Sequence, residues 1–309
     1  MKIKTFFLHP YEIPLTHSQV RQGVLLHITD EKGNKGWGDI APLPKWSRET
    51  LEEALLELEQ RKGQILKTEW TIEKLKKLSF YPSVTFRLES ALLSLLDPLP
   101  SHTVLTSALL MGSLEEILSQ ATLRKKEGYL VAKLKVGNLS FKEAFDAIDQ
   151  LKDTFRLRVD VNRAWKTKES LQFFSKFPLD AFDYVEEPFQ DPQDLNLFTH
   201  PLAVDESFPN NLSLKQLEAL PTLKALIYKP TMQGGMVGCL PLLAWANKRG
   251  IELVLSSSFE SDIGLAHIAS LAYRLSLKAP IGIGTYHFLK DPLRKDLLIF
   301  EGSKVHILG

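Results

Sequence analysis

Lys133 and Lys135 stand two residues apart in the run Val131-Ala132-Lys133-Leu134-Lys135-Val136-Gly137. In a strand this spacing sends both ammonium groups to one face and Ala132, Leu134 and Val136 to the other. An isolated Lys-x-Lys is more often a solvated edge strand, but helical patterns on both sides argue against an edge here. With the apolar face against helices, both lysines point into a barrel interior, where desolvation and mutual repulsion lower an ammonium pKa from about 10.4. A lysine tuned in this way can act as a general base.

Three further segments end in acids at one level: Arg158 to Asn162 with Asp160, Tyr184 to Pro188 with Glu186, and Ala203 to Ser207 with Asp205. Unpaired, these carboxylates repel, and a hard divalent cation with oxygen ligands, Mg²⁺ above all, relieves the repulsion and creates an electrophilic centre. Glu187 and Glu206, the second acid of each pair, read as caps or surface acids. Lys229, at the end of the next strand pattern, faces the lysine pair across an eight-stranded barrel. The run Ser256 to Ser261 offers hydroxyls and helix-start amides to a substrate carboxylate, although a serine-rich helix cap accounts for it as well.

The elements that must position these groups fall into two patterns. In residues 1–100, strands at Met1 to Leu8, Gly23 to Thr29 and Lys35 to Ile40 precede a helix capped near Ser47 and a second from about Ser83 to Leu95, which makes an α+β unit. From Val104, apolar strands alternate with amphipathic helices. Eight strands are expected, beginning near Val104, Val131, Arg156, Phe182, Leu202, Ala225, Ile251 and Pro280. Seven helices between them, including about Lys166 to Phe177, Gly235 to Lys248 and Asp262 to Leu275, predict a (β/α)7β modified TIM barrel over 101–285, capped by the N-terminal α+β domain. Residues 286–309 hold two short strands and are expected to return to the capping domain. An open doubly wound sheet competes, but no glycine-rich dinucleotide fingerprint or phosphate loop follows any strand.

Composition narrows the function classes. The 309 residues carry 38 Lys and Arg against 37 Asp and Glu, a net charge of +1, so no global field draws the chain to nucleic acid or anionic membrane. Hydrophobic residues at 44% and charged residues at 24% are ordinary globular usage. The single cysteine, Cys239, cannot form an internal disulfide or a multi-cysteine metal site. No apolar run approaches the length of a membrane span, and the Phe6 to Leu8 stretch is too short for a signal-peptide core. A cytoplasmic enzyme acting on a small carboxylate, with no membrane insertion and no obligatory protein partner, is expected.

Taken in order, Lys133-x-Lys135, Asp160-x-Asn162, Glu186-Glu187-Pro188, Asp205-Glu206-Ser207 and Lys229-Pro230 resemble the enolase superfamily. Gly36 to Pro44, Asn162-Arg163-Ala164-Trp165 and the serine run look, within it, like the o-succinylbenzoate synthase family, over nearly the whole chain. The resemblance implies that Asp160, Glu186 and Asp205 bind Mg²⁺, with Mn²⁺ able to substitute. It makes Lys135 the general acid/base, with Lys133 and Lys229 completing the catalytic set. It further implies dehydration of 2-succinyl-6-hydroxy-2,4-cyclohexadiene-1-carboxylate to 2-succinylbenzoate in menaquinone synthesis. Ser256, Ser257, Ser258 and Asn162 are expected to contact substrate, together with Arg21 and Trp46 from capping-domain loops, where His17 also lies. The segment Gly284 to His287 lacks the acid that some relatives carry there. N-succinylamino acid racemases and dipeptide epimerases share these lysines and acids, and a catalytically silent scaffold or binding protein is a third reading.

Overall fold

The computed structural model describes residues 1–16 and 19–308, so His17 lies outside the described residues. Strands β1 (Ile3–Pro14), β2 (Val20–Asp30) and β3 (Lys35–Ile40) form an antiparallel sheet in chain order. β1 runs six residues beyond the expected Leu8 through Pro10 and Pro14, which an edge strand tolerates. The β2–β3 turn is held by Asp30 Oδ1, which accepts from Lys32 N at 2.8 Å and Asn34 N at 2.9 Å, and by Gly33 at φ 84°.

Helix α1 (Leu51–Lys67) starts from Thr50, whose side chain and that of Glu53 form a reciprocal capping box. Ser47, the expected cap, instead accepts from Leu43 N at 2.8 Å and closes the preceding turn. A short α2 (Ile72–Leu75) leads to α3 (Pro82–Leu96), which crosses the sheet closely. A Cβ on Gly38 would stand 2.5 Å from Arg87 O, so β3 needs glycine where this helix passes.

The chain continues through β4 (His102–Leu105), β5 (Ala108–Leu110), α4 (Leu114–Lys126), β6 (Val131–Lys135), α5 (Phe141–Leu151), β7 (Arg156–Asp160), α6 (Thr167–Phe174) and β8 (Tyr184–Glu186). A 3-10 turn, Pro192–Leu197, then precedes β9 (Leu202–Val204), α7 (Leu214–Glu218), β10 (Leu223–Tyr228), α8 (Pro230–Gln233), α9 (Met236–Asn247), β11 (Glu252–Leu255) and α10 (Asp262–Arg274). Strands β5 to β11 form one parallel sheet in sequence order. Ile281 bridges Thr106 beside β5, and Gly282 bridges Ser256 beyond β11, so residues 281 and 282 stand between the two edges and close the curl. This is the (β/α)7β barrel under an antiparallel cap.

One strand assignment is corrected. Val104 does not open the barrel; it lies in β4, whose partner is the C-terminal β13 (Lys304–Ile307), itself paired with β12 (Leu298–Glu301). The barrel begins four residues later, at Ala108. Alternating apolar residues occur in both segments, and periodicity alone does not tell an antiparallel accessory strand from a barrel strand. The tail also touches the end of β1 through the Leu15–Leu289 bridge and a 3.0 Å bond from Lys290 N to Pro14 O.

Ala132, Leu134 and Val136 are buried in the large core between strands and helices, while Tyr184, Ala203, Ala225, Ile227 and Val254 form a smaller separate cluster. No helix among the described residues is long and apolar enough to cross a membrane.

Candidate active site

Strand register sets the site. Lys135 pairs with Asp160, Asp160 with Glu186 and Glu186 with Ala203, so one row across four parallel strands carries a lysine and two carboxylates. Asp205 follows two residues beyond Ala203, and Lys229 follows the last residue of β10. Lys133 Nζ lies 2.7 and 2.8 Å from the two oxygens of Glu186 and 2.9 Å from Asp160 Oδ2. Lys135 Nζ donates to Asn162 Oδ1 at 2.9 Å and lies 3.4 Å from Asp160 Oδ2. Lys229 Nζ is paired with Asp205 Oδ2. Asn162 can turn its amide to Lys135 because its backbone sits at φ 49°, a left-handed conformation asparagine tolerates. The three side chains differ in exposure: Lys133 is 13% accessible, Lys229 17% and Lys135 31%.

The electrostatics revise one expectation. Burial pulls the Lys133 ammonium down, but Asp160 and Glu186 outweigh it and hold the group well above its ordinary value. Burial likewise opposes ionisation of Asp160, yet Lys133 and Lys135 keep it below the usual carboxylate range. Glu186 is pushed up to about 8 by burial and by Asp160. Glu206 is pushed up to about 8 by burial and by Asp205 and Glu187. The acids on the neighbouring strands, and not Lys135, therefore dominate the surroundings of Lys133.

A cavity of about 850 Å³ opens above this row. Lys133, Lys135, Lys229 and Asn162 line it, as do Ser256, Ser257, Ser258 and Trp46. Ser257 is already occupied, donating to Gly282 O at 2.9 Å and sharing a 2.7 Å bond with Thr285 Oγ1. Ser258 Oγ is buried with no hydrogen-bond partner. Arg21 does not line the cavity. Its guanidinium is buried and donates to Phe259 O at 2.9 Å, Pro42 O at 3.0 Å and Ala41 O, tying the serine loop to the cap.

A family model described as "Enolase C-terminal domain-like" matches residues 116–307, and one described as "MenC, N-terminal domain" matches 9–95. A curated o-succinylbenzoate synthase of Edwardsiella ictaluri is 32% identical over 284 residues, covering 88% of this chain and 85% of that protein. The chain belongs to the o-succinylbenzoate synthase family of the enolase superfamily. Another family member, the o-succinylbenzoate synthase of Proteus mirabilis, is 29% identical over 89% of this chain and 85% of its own length. Among solved structures, L-Ala-D/L-Glu epimerase from Bacillus subtilis superposes with a TM-score of 0.86 at 21% identity, covering 100% of this chain and 97% of that one. MenC from Desulfotalea psychrophila superposes at 0.79 and 19%, covering 99% and 100%. At these identities the superpositions speak for the shared fold.

Superfamily enzymes of this kind bind Mg²⁺, and the residues present suit a hard cation. Glu186, Asp205 and Glu206 bring carboxylate oxygens within 4.8 Å of one another, and both oxygens of Glu206 are buried without a hydrogen-bond partner. Glu206 is thus no surface acid, contrary to its reading from sequence. Nor is Glu187, which is fully buried and accepts from Asp205 N at 2.8 Å and Ser207 N at 2.9 Å, fixing the Asp205 segment. Asp160 stands outside that trio and meets Glu186 through Lys133. What the sequence reading missed entirely is a buried latch behind the serine loop. Arg87 of α3 lies 3.4 Å from Glu260 and donates to Thr231 Oγ1 at 2.7 Å, while Glu260 Oε2 accepts from Ser258 N at 2.6 Å. The signal was an arginine inside the apolar pattern of Val84 to Leu93.

Proposed function

We propose that this chain is an o-succinylbenzoate synthase that dehydrates 2-succinyl-6-hydroxy-2,4-cyclohexadiene-1-carboxylate to 2-succinylbenzoate, with Lys135 as acid and base. The observation that carries the reading is the position of Lys135. It is the most accessible of the three lysines, opens to the 850 Å³ cavity and sits in the strand row beside the acids. The curated relatives that bear the synthase name, at 27 to 32% identity, support the substrate assignment.

In this scheme Lys135 Nζ takes the proton α to the substrate carboxylate, and the electron pair left behind moves onto that carboxylate. Asp160, Glu186 and Asp205 would hold a divalent cation, which would supply electrophilic stabilisation of the charge that develops there. Return of the electrons breaks the bond from the ring to its hydroxyl. Lys135 gives its proton to the departing oxygen, water leaves, and the ring becomes aromatic. Lys133 holds Asp160 and Glu186 together. Lys229, ion-paired with Asp205, contributes positive charge from the other side. Ser258 Oγ is the hydroxyl proposed to bind the succinyl carboxylate, with Asn162 orienting Lys135 and Trp46 covering the mouth. A cytoplasmic setting belongs to the same proposal.

The epimerase reading needs Lys229 to exchange protons as freely as Lys135 does. Lys229 is less exposed than Lys135 and pairs more closely with its buried acid, Asp205, than Lys135 does with Asp160, at 3.4 Å, which favours Lys229 as the charge and Lys135 as the acid and base. The test is turnover of the cyclohexadiene acid with and without Mg²⁺. Product formation that depends on the cation supports the proposal, and none under saturating Mg²⁺ refutes it.

A further inference from the structure

A second cavity, of about 620 Å³, lies between β3 of the cap, α3, α10 and the C-terminal tail, and shares no lining residue with the catalytic one. Its walls are largely apolar, with Trp37, Phe86, Leu93, Leu271, Leu297 and Ile307 among them. Its polar groups are unevenly placed. At the inner wall, Glu89 is 1% exposed and its Oε1 has no partner, while Oε2 accepts from Met236 N at 2.5 Å. His267 on α10 also faces this space, with Nδ1 buried and unpartnered. Burial, then Arg87, push that imidazole down to about 3, so it is neutral and offers hydrogen bonding without charge.

The rim has the opposite character. Lys35 is exposed, and Arg294 is 53% exposed with only a 3.6 Å pairing to an exposed Asp296. Arg274 also lines the cavity but is spent on Asp97. Glu89 is the sole acid among the lining residues. Unpartnered buried polar atoms cost free energy unless something meets them, and apolar walls of this extent mark small-molecule sites.

We infer that this cavity is a binding site, separate from the catalytic one, for an aromatic hydroxy acid whose hydroxyl meets Glu89 and His267 and whose carboxylate meets Lys35 and Arg294. The lining sets the ligand class: buried unpartnered polar atoms on Glu89 and His267 call for a hydroxyl, the apolar walls for an aromatic body, and the exposed cations Lys35 and Arg294 for an anion.

The probe is 4′-hydroxybiphenyl-4-carboxylate, titrated calorimetrically into the intact protein. One-to-one binding is expected. Lys35→Glu, a surface change that leaves the fold intact, weakens it about tenfold or more, and the carboxamide analogue is weakened similarly. Ala266→Trp, which fills the cavity, removes binding, while Lys135→Ala leaves it unchanged. No heat at about 1 mM probe overturns the inference. So does an affinity undiminished from that of the wild-type protein for the carboxylate, in Lys35→Glu or with the carboxamide, or loss of binding in Lys135→Ala, which places the probe in the catalytic cavity. Because turnover is not read, failure here is distinguishable from failure of the proposed reaction.

Discussion

Lys133 Nζ donates to both carboxylate oxygens of Glu186, at 2.7 and 2.8 Å, across the intervening strand β7. Two residues further along β6, Lys135 makes a single hydrogen bond, to Asn162, and opens to the cavity. Two lysines on one strand face therefore do different work.

Lys135→Ala is expected to lose several orders of magnitude in kcat while keeping its melting temperature, because its side chain is nearly one third exposed and its proposed role is chemical. Lys133→Ala should lose activity and also stability. Without cation it leaves Asp160 and Glu186 buried with their principal partner gone, a change that costs about 3 kcal/mol or more. Denaturant midpoints of both metal-free variants check the contrast. Equal stability of the two contradicts it.

The cation prediction concerns Asp160, Glu186 and Asp205. Exhaustive chelation should abolish turnover with the far-ultraviolet circular dichroism unchanged, and added Mg²⁺ should restore it, with Mn²⁺ substituting. Because each of these acids already has a lysine partner, the chelated protein stays folded. Full activity of Asp205→Asn, or of the chelated protein, removes the cation from the account.

How much of this was legible beforehand follows from what carries the signal. Period two fixed the faces of Lys133 and Lys135, and Lys135, Asp160 and Glu186 align because each is the last residue of its parallel strand. Interaction partners far apart in sequence left no such trace. Arg21 carries the same side chain whether it binds substrate or, as here, Phe259 O some 238 residues away. Glu187 and Glu206 are adjacent to ligand candidates, and only the fold shows one gripping backbone amides and the other buried without a partner. Val104 failed for a related reason: the strand it pairs with lies at the far end of the chain.

The latch between cap and barrel gives a stability prediction. Arg87 and Glu260 are both fully buried. Arg87→Met alone should cost about 3 to 5 kcal/mol by stranding the Glu260 charge, and Arg87→Met combined with Glu260→Gln less than the sum of the single changes. A double-mutant cycle in denaturant reads the coupling, and strict additivity rejects the pair as an energetic unit.

Glu89 supplies a pH prediction. Burial pushes its carboxyl up to about 7 against the backbone N–H groups of Met236 and Val237, which favour the charged form. The folded value exceeds the unfolded one of about 4.3, so the folded state binds the extra proton between them. The stability this contributes is fully present below the unfolded value and is lost as pH rises through the folded one. Glu89→Gln should flatten part of that decline between about pH 5 and pH 8. Parallel denaturant-midpoint profiles for the two proteins over that range contradict the assignment.

The most direct test of the proposed reaction is a comparison of kcat/KM for the cyclohexadiene acid and for N-succinylamino acids on one Mg²⁺-loaded preparation. Both reactions begin with removal of a proton α to a carboxylate, but only epimerisation needs a second proton-exchanging lysine on the opposite face. With Lys229 held by Asp205, the account predicts rapid formation of 2-succinylbenzoate and slow or no racemisation. Faster racemisation by a wide margin, with α-deuterium exchange from both faces depending separately on Lys135 and Lys229, would contradict it.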